Sequence, residues 1–419
     1  MSKDIRDKTK KSKLWQFPWR YRESFLIAIF MLLSGFLMQL IIGTGVRMPG
    51  WPLNIAIIVI FILYFILIHY LVKHPVIKWL SSTYAVIASV SAFTLMVMFL
   101  GFIPQVLNPD DIRLIDHLGL TQVTSSWAYL MSALYLLLVL GFTIMRRLNT
   151  FTLKNIAFLL NHIGLWLVVV SGSLGSADMW KLSMQLETKH PVIKAYDTRG
   201  NGYDMGFGMV LLDFQIDEYP AQLGVMNNEE RKLIMQKGGK LATIEEGTTT
   251  SLENYTLTFE RYIPFAGKYE DVYDTSSLAG AARAVYVTAK DENTGQVFQG
   301  WVCDGSYNVK ASYLSVGDGV SLAMTQIRAK KYSSDIRIYH SMDDYEDFHI
   351  EVNKPVKIKG WKIYQTGYDE IMGRWSERSY IELVRDPWLP VVYVGIFMIL
   401  FGTLYLLWMG KGRTKTKKA

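Results

Sequence analysis

The side chain in this sequence best placed to do chemistry is His162. It stands in NIAFLLNHIGLWLVVVSGSLGS, about seven residues into a long apolar run. An ionisable group inside such a run is costly in lipid and tends to be functional. At 1.5 Å per residue it lies roughly 10 Å from the start of the run. A neutral imidazole offers a lone pair without adding charge, so His162 suits an axial position on haem iron. The neighbouring Gly164 would leave room beside the ring. The other reading is an inter-helix hydrogen bond, to Gln39 or Asn161. Both stand on the residues alone.

The chain has six more histidines and one cysteine. His69 lies near the end of a second apolar run, at the membrane boundary, where a histidine costs little; it is the weaker ligand candidate. His74, just before Pro75, and His117, in an acidic loop, read as loop residues. His190, His340 and His349 fall in a strand-rich polar region, lack a second ligand at metal spacing, and read as surface or turn residues. The DDYED run at 343–347 reads as a solvated turn, without the glycine pattern of a calcium loop. Cys303, in GWVCDG, cannot form an internal disulfide, a C-x-x-C dithiol, a zinc ribbon or an iron–sulfur cluster. It reads as a small apolar strand residue, or else as a thiol that handles a partner's cysteine. No G-x-S-x-G, H-E-x-x-H or phosphate-binding glycine loop occurs, so no catalytic residue is assigned.

The elements that must position His162 are membrane spans. Six apolar segments, near 25–46, 53–72, 83–104, 127–145, 155–175 and 388–409, are long enough to cross a hydrocarbon core. The first sits behind a polar leader and carries no small-residue cleavage site, unlike a signal peptide. Pro104 and Pro109 should end the third. The leader, the 73–82 and 146–154 loops and the 410–419 tail hold 18 Lys and Arg, whereas the 47–52 and 105–126 loops hold only Arg47 and Arg113. Basic short loops stay in the cytoplasm. Both termini are therefore expected inside and residues 176–387 outside.

The formal charge of +7 is unevenly spread. Residues 176–387 carry 24 basic and 31 acidic side chains, and the positive excess lies in membrane-flanking segments. Those segments suit contact with anionic lipid; nothing in the pattern suggests nucleic acid. The expected order is a basic tail (1–24), a five-helix region (25–175), an extracytoplasmic domain (176–387), a C-terminal span (388–409) and a second basic tail (410–419). GMVLLDFQIDEYP, YTLTFERYIPF, ARAVYVTAK, GQVFQGWV, SLAMTQIRA, DIRIYHS, FHIEVN, WKIYQTGY and YIELVRD alternate or are β-branched and aromatic, as strands are. DENTG between Lys290 and Gln296 predicts a hairpin turn. NNEERKLIMQKGG predicts a helix over 227–239, capped by Asn228 and stopped by Gly238. The fold class expected is a polytopic α-helical membrane protein with a large β-rich domain, sandwich or barrel-like.

Several motifs occur in a telling order: NHIGLWLVVVSGSLG in the last span before the domain, LLDFQIDEYP early in it, then VNKPVKIKGWKIYQTGYD and DPWLPVVYVGIFMILFG. Across roughly 140–409 the chain resembles the ResB family of system II cytochrome c biogenesis. The resemblance implies a bacterial inner-membrane protein working with a CcsA-type partner. Together such a pair carries haem b outward and joins it to CXXCH cysteines of apocytochrome c. Through H-I-G-L, the family's membrane haem histidine maps onto His162.

Two features depart from the family. Many relatives have four spans, and the additional pair near 83–145 has no evident role. No W-G-x-x-W-x-W-D occurs, so the ligation chemistry would lie on the partner, and this chain would be one component of a haem lyase complex. The competing classes are a cytochrome b-like electron-transfer subunit and a membrane-anchored β-domain scaffold. Two haems across a membrane usually need four in-span histidines, which disfavours the former.

Overall fold

The computed structural model describes residues 14–71, 73–107, 111–149, 152, 155–234, 241–317 and 319–410. They fall into two compact units, one within Met1–Met179 and Asp386–Ala419, the other Trp180–Arg385.

The first unit is helical: α1 (Tyr21–Ile42), α2 (Leu53–Leu71), α3 (Pro75–Leu80), α4 (Thr83–Phe102), α5 (Leu114–His117), α6 (Trp127–Leu148), α7 (Ile156–Leu174) and α8 (Leu389–Gly410). All but α3 and α5 are long and apolar enough to cross a membrane, and the chain is a multi-pass membrane protein. Caps explain the boundaries. α1 begins at Tyr21, earlier than the apolar run implies, because the Glu23 carboxylate accepts the Arg20 backbone N–H at 2.9 Å. It stops at Gly43, whose φ of +71° permits a left-handed cap bonded to the Gln39 carbonyl. Ser82 and Ser126 cap α4 and α6. α4 ends at Phe102, short of Pro104; Pro109 lies outside the described residues.

α6 is the central helix. It buries Ala128, Ala133, Tyr135, Leu136, Val139, Leu140 and Phe142, and it packs against α1, α2, α4 and α7. Small residues allow the approach: Gly35 of α1 meets the Ala128 backbone, and Phe65 of α2 lies over Gly141. The additional pair near 83–145 thus supplies α6, the helix on which α1, α2, α4 and α7 converge.

Among its described residues the second unit holds three antiparallel sheets, none of which closes into a barrel. Eight strands form the first: β1 (Trp180–Glu187), β2 (Val192–Tyr196), β3 (Gly202–Glu218), β14 (Ala329–Tyr339), β15 (Tyr345–Glu351), β16 (Val356–Ile358), β17 (Trp361–Tyr368) and β18 (Arg378–Arg385). Their order is β15-β14-β3-β2-β1-β18-β17-β16. The sheet rolls up: Ser334 of β14 and Ser379 of β18 are separated by three strands in that order, yet their hydroxyls are 3.0 Å apart. Inside the roll, alternate residues such as Leu182, Met184 and Leu186 are buried with Ile336, Ile338, Ile363 and Leu383.

The described residues between β3 and β14 form a sandwich of the other two sheets. One joins β7 (Thr249–Leu252), β8 (Tyr255–Tyr269), β9 (Val272–Thr275), β10 (Ala282–Asp291) and β11 (Val297–Cys303). The other joins β4 (Gln222–Asn227), β5 (Lys232–Leu233), β6 (Ala242–Thr243), β12 (Leu314–Ser315) and β13 (Val320–Met324). Their facing side chains make one core around Leu223, Leu257, Phe259, Val285, Val287 and Leu322. Each such side chain contributes about 1.5–3 kcal/mol on burial. At its root Arg283 and Asp304 form a buried pair at 2.7 Å.

Eight of the nine segments expected as strands are strands over most of their length, SLAMTQIRA belongs to β13 only over Ser321–Met324, and 291–295 is the expected hairpin turn, with Gly295 at φ +72°. Of the helix expected over 227–239, the described residues 227–234 form none: they are strand and turn. Val225 belongs to the sandwich core, and the Asn227 side chain accepts the N–H groups of Glu229 and Glu230, turning the chain into β5. Gly238 lies outside the described residues. Glu346 and Asp347 of the DDYED run belong to β15, where Asp347 takes two hydrogen bonds from Arg337 at 2.6 and 2.8 Å.

Candidate functional site

α7 shows two different faces. One is filled by α8. A Cβ on Gly164 would lie 2.6 Å from the Gly395 carbonyl oxygen, and one on Gly395 would lie 2.8 Å from that of Gly164. Further along, a Cβ on Gly402 would lie 2.9 Å from the Ala157 carbonyl oxygen, and the Thr403 hydroxyl donates to Asn161 at 2.9 Å. The space that Gly164 was expected to leave beside His162 is therefore taken by a helix backbone.

His162 lies on the other face, half-buried. Its Nδ1 is 2.8 Å from the Phe158 carbonyl oxygen. A carbonyl only accepts, so Nδ1 carries the proton and Nε2 keeps its lone pair. This is the arrangement by which histidine ligands are usually oriented. The Phe158 ring stacks on the imidazole, with centroids 3.7 Å apart and planes 20° from parallel. The Arg147 guanidinium, from the last turn of α6, lies 4.8 Å from the Phe158 ring centroid. Among the described residues nothing hydrogen-bonds Nε2. The alternative partners are engaged elsewhere: Gln39 accepts the Trp127 N–H at 3.2 Å, and Asn161 bonds Thr403 and the Ala157 carbonyl. Further along α7, Gly172 is exposed and nothing lies within 4 Å of an added Cβ there.

His69 is placed differently. Its Nε2 is 2.5 Å from the Asn149 side-chain nitrogen, while the Asn149 oxygen accepts the Tyr70 hydroxyl at 2.9 Å. An amide nitrogen only donates, so the Nε2 lone pair of His69 is spent. No hydrogen bond or ring contact links His69 to His162 among the described residues. His74 caps α3 through Nδ1, and His117 is exposed at the end of α5.

The far end of α7 carries a cluster that residue types alone did not reveal. Asp178 accepts the Trp51 backbone N–H, the Asn54 side-chain amide and the Trp388 indole N–H, each at 2.7 Å. Asn54 is fully buried and also donates to the Leu174 carbonyl at 3.3 Å. The ends of α2, α7 and α8 meet on this one carboxylate.

In the β-rich unit, Cys303 is the last residue of β11 and fully buried; burial pushes its thiol up. His349 donates through Nδ1 to Asp335 at 2.6 Å, and its Nε2 lies 3.4 Å from Glu351. Lys331 and Lys354 hold Glu351 well below the usual carboxylate range, down to about 2. Among the described residues no group of three His, Cys, Asp or Glu could hold a metal ion.

No curated protein matches the chain. The family model described as ResB-like family matches residues 151–380, from the helix that carries His162 to the last strand of the rolled sheet. That stretch is more than half of the 419 residues, and the chain belongs to the ResB-like family, which takes part in cytochrome c biogenesis.

Proposed function

We propose that this chain holds haem b at His162 within the bilayer and passes it outward together with a CcsA-type membrane partner, which attaches it to the CXXCH cysteines of apocytochrome c. The observation that carries this reading is the protonation state of His162. Its Nδ1–H is committed to the Phe158 carbonyl, and its Nε2 lone pair is left for iron. The family match over the same helix supports it. Haem is cargo here; this chain's contribution is to orient one axial ligand and to exclude water from it. The second ligand belongs to the partner. His69, its lone pair already engaged, has the smaller part.

In the same reading the chain lies in a bacterial inner membrane with both ends in the cytoplasm, and the unit Trp180–Arg385 stands outside. The 18-to-2 distribution of basic residues supports that orientation, and the basic flanks meet anionic lipid. A reporter active only outside the cytoplasm should work when fused near Gly200 and fail when fused after α8; the reverse result would overturn the orientation.

The haem assignment is tested by absorption spectroscopy of the protein purified with its partner. His162→Ala should deplete haem b and stop cytochrome c maturation while the protein still accumulates. His162→Gly should recover part of both when imidazole is added. His69→Ala should have the weaker effect. Wild-type haem content in His162→Ala would refute the assignment.

A further inference from the structure

We propose that Arg147 anchors a carboxylate of the tetrapyrrole whose iron is held at His162; the proposal rests on the assignment of His162 made above. Arginines in the last turn of a membrane helix ordinarily complement the helix dipole and reach outward to water. Arg146 fits that description and is exposed. Arg147 does not. It is half-buried, and its Nε is shielded from solvent without a hydrogen-bond partner among the described residues. It forms no ion pair with any described carboxylate. Its guanidinium instead lies over Phe158, 4.8 Å from the ring centroid, and that ring is stacked on the His162 imidazole.

The three groups thus form a column of guanidinium, aromatic ring and imidazole. A guanidinium with one N–H, at Nε, shielded and unpartnered gains from an anion that reaches it. The best geometric match for a guanidinium is a carboxylate or phosphate, bound through two parallel N–H groups. A haem ligated by His162 presents an apolar macrocycle to the bilayer, with two propionate carboxylates at one edge. Because Phe158 spaces Arg147 from the imidazole, the cation cannot sit over the iron. It meets the edge of the macrocycle, where the carboxylates are. α6 also ends at this level, so the anionic edge would face the polar boundary and the apolar edges would face lipid. A lipid phosphate is the other source of the same chemistry.

The test compares ferric haem b with its dimethyl ester, which keeps the iron and macrocycle but has no carboxylate. Each is titrated into the full-length protein with its partner, in nanodiscs of zwitterionic or anionic lipid, and binding is read from the Soret shift. Arg147→Gln should weaken haem b roughly tenfold or more while changing the ester by less than about twofold, and Arg147→Lys should fall between. His162→Ala should weaken both ligands. The proposal is overturned if Arg147→Gln binds haem b like wild type while His162→Ala does not. It is equally overturned if Arg147→Gln weakens acid and ester alike, which marks a structural role, or if its effect appears only in anionic discs, which marks a lipid phosphate. If His162→Ala binds both ligands like wild type, the iron assignment itself has failed and the anchor falls with it.

Discussion

Phe158 holds His162 twice: its carbonyl accepts the Nδ1 proton at 2.8 Å, and its ring lies against the imidazole 3.7 Å away. The first contact fixes the tautomer, the second the ring plane. They can be separated, because the carbonyl survives any substitution. Phe158→Leu should keep the tautomer and lose the stacking. An aromatic pair contributes about 0.5–1.5 kcal/mol, which corresponds to roughly two- to tenfold weaker haem binding. Haem titration and electron paramagnetic resonance would show it as lower affinity with a broadened low-spin signal, milder than the loss in His162→Ala.

The α7–α8 contact is backbone against backbone at Gly164 and Gly395. Alanine at either position should destabilise the protein by about 1–3 kcal/mol, the usual penalty of overpacking. Gly172→Ala is the control, since nothing lies within 4 Å of its added Cβ. Thermal unfolding of the purified protein should show a lower Tm for the first two variants and an unchanged one for the third.

Asp178 accepts three hydrogen bonds, two from the start of α2 and one from Trp388 just before α8. Asp178→Ala leaves the buried Asn54 amide and the Trp388 indole without that acceptor, at a cost of about 1–3 kcal/mol for each buried group left unpaired. Asn54→Ala combined with Asp178→Ala should cost less than the sum of the single changes. Denaturation of the four proteins in one detergent measures the coupling; strict additivity would contradict the shared carboxylate.

Cys303 is enclosed and its thiol is harder to ionise than usual. Maleimide should label it slowly in the folded protein and rapidly after unfolding. Cys303→Ser should lose about 1–3 kcal/mol of stability by burying a hydroxyl, yet support cytochrome c maturation. Abolished maturation with normal accumulation would make the thiol a participant.

Glu351 is ionised down to a pKa of about 2, against 4.5 for an ordinary glutamate, chiefly because Lys331 and then Lys354 donate to it. A depressed carboxylate pKa adds stability above pH 4.5 that is lost as pH falls towards 2. Replacing both lysines with methionine should bring the midpoint back towards 4.5. Carboxyl NMR titration reads this directly.

The period of the apolar runs made the six spans legible, and strand alternation made nine strands legible. β1 was not among the expected strands, although Leu182, Met184 and Leu186 stand at every second place between Lys181, Ser183, Gln185 and Glu187. The helix expected from 227 fails over 227–234 for a physical reason: Asn228 suits a helix cap, but its neighbour Asn227 makes a side-chain-to-backbone turn with Glu229 and Glu230, and the sandwich core chose between them. His162 stood out because a histidine in lipid is rare. Phe158 did not, since any residue four places earlier offers a carbonyl. Arg147 and Asp178 act through partners on other helices, and a single sequence carries no record of that proximity.

The pairing of β1 with β18, from Trp180 opposite Arg385 to Glu187 opposite Arg378, brings both ends of the β-rich unit to one place. Everything between them is a closed excursion of the chain. Such a unit is interchangeable in principle: it can be lengthened, trimmed or exchanged between its paired ends without altering how far apart the flanking segments stand. The two ends could also be spliced by a short linker to give a circular domain, with new termini opened at the Gly295 turn.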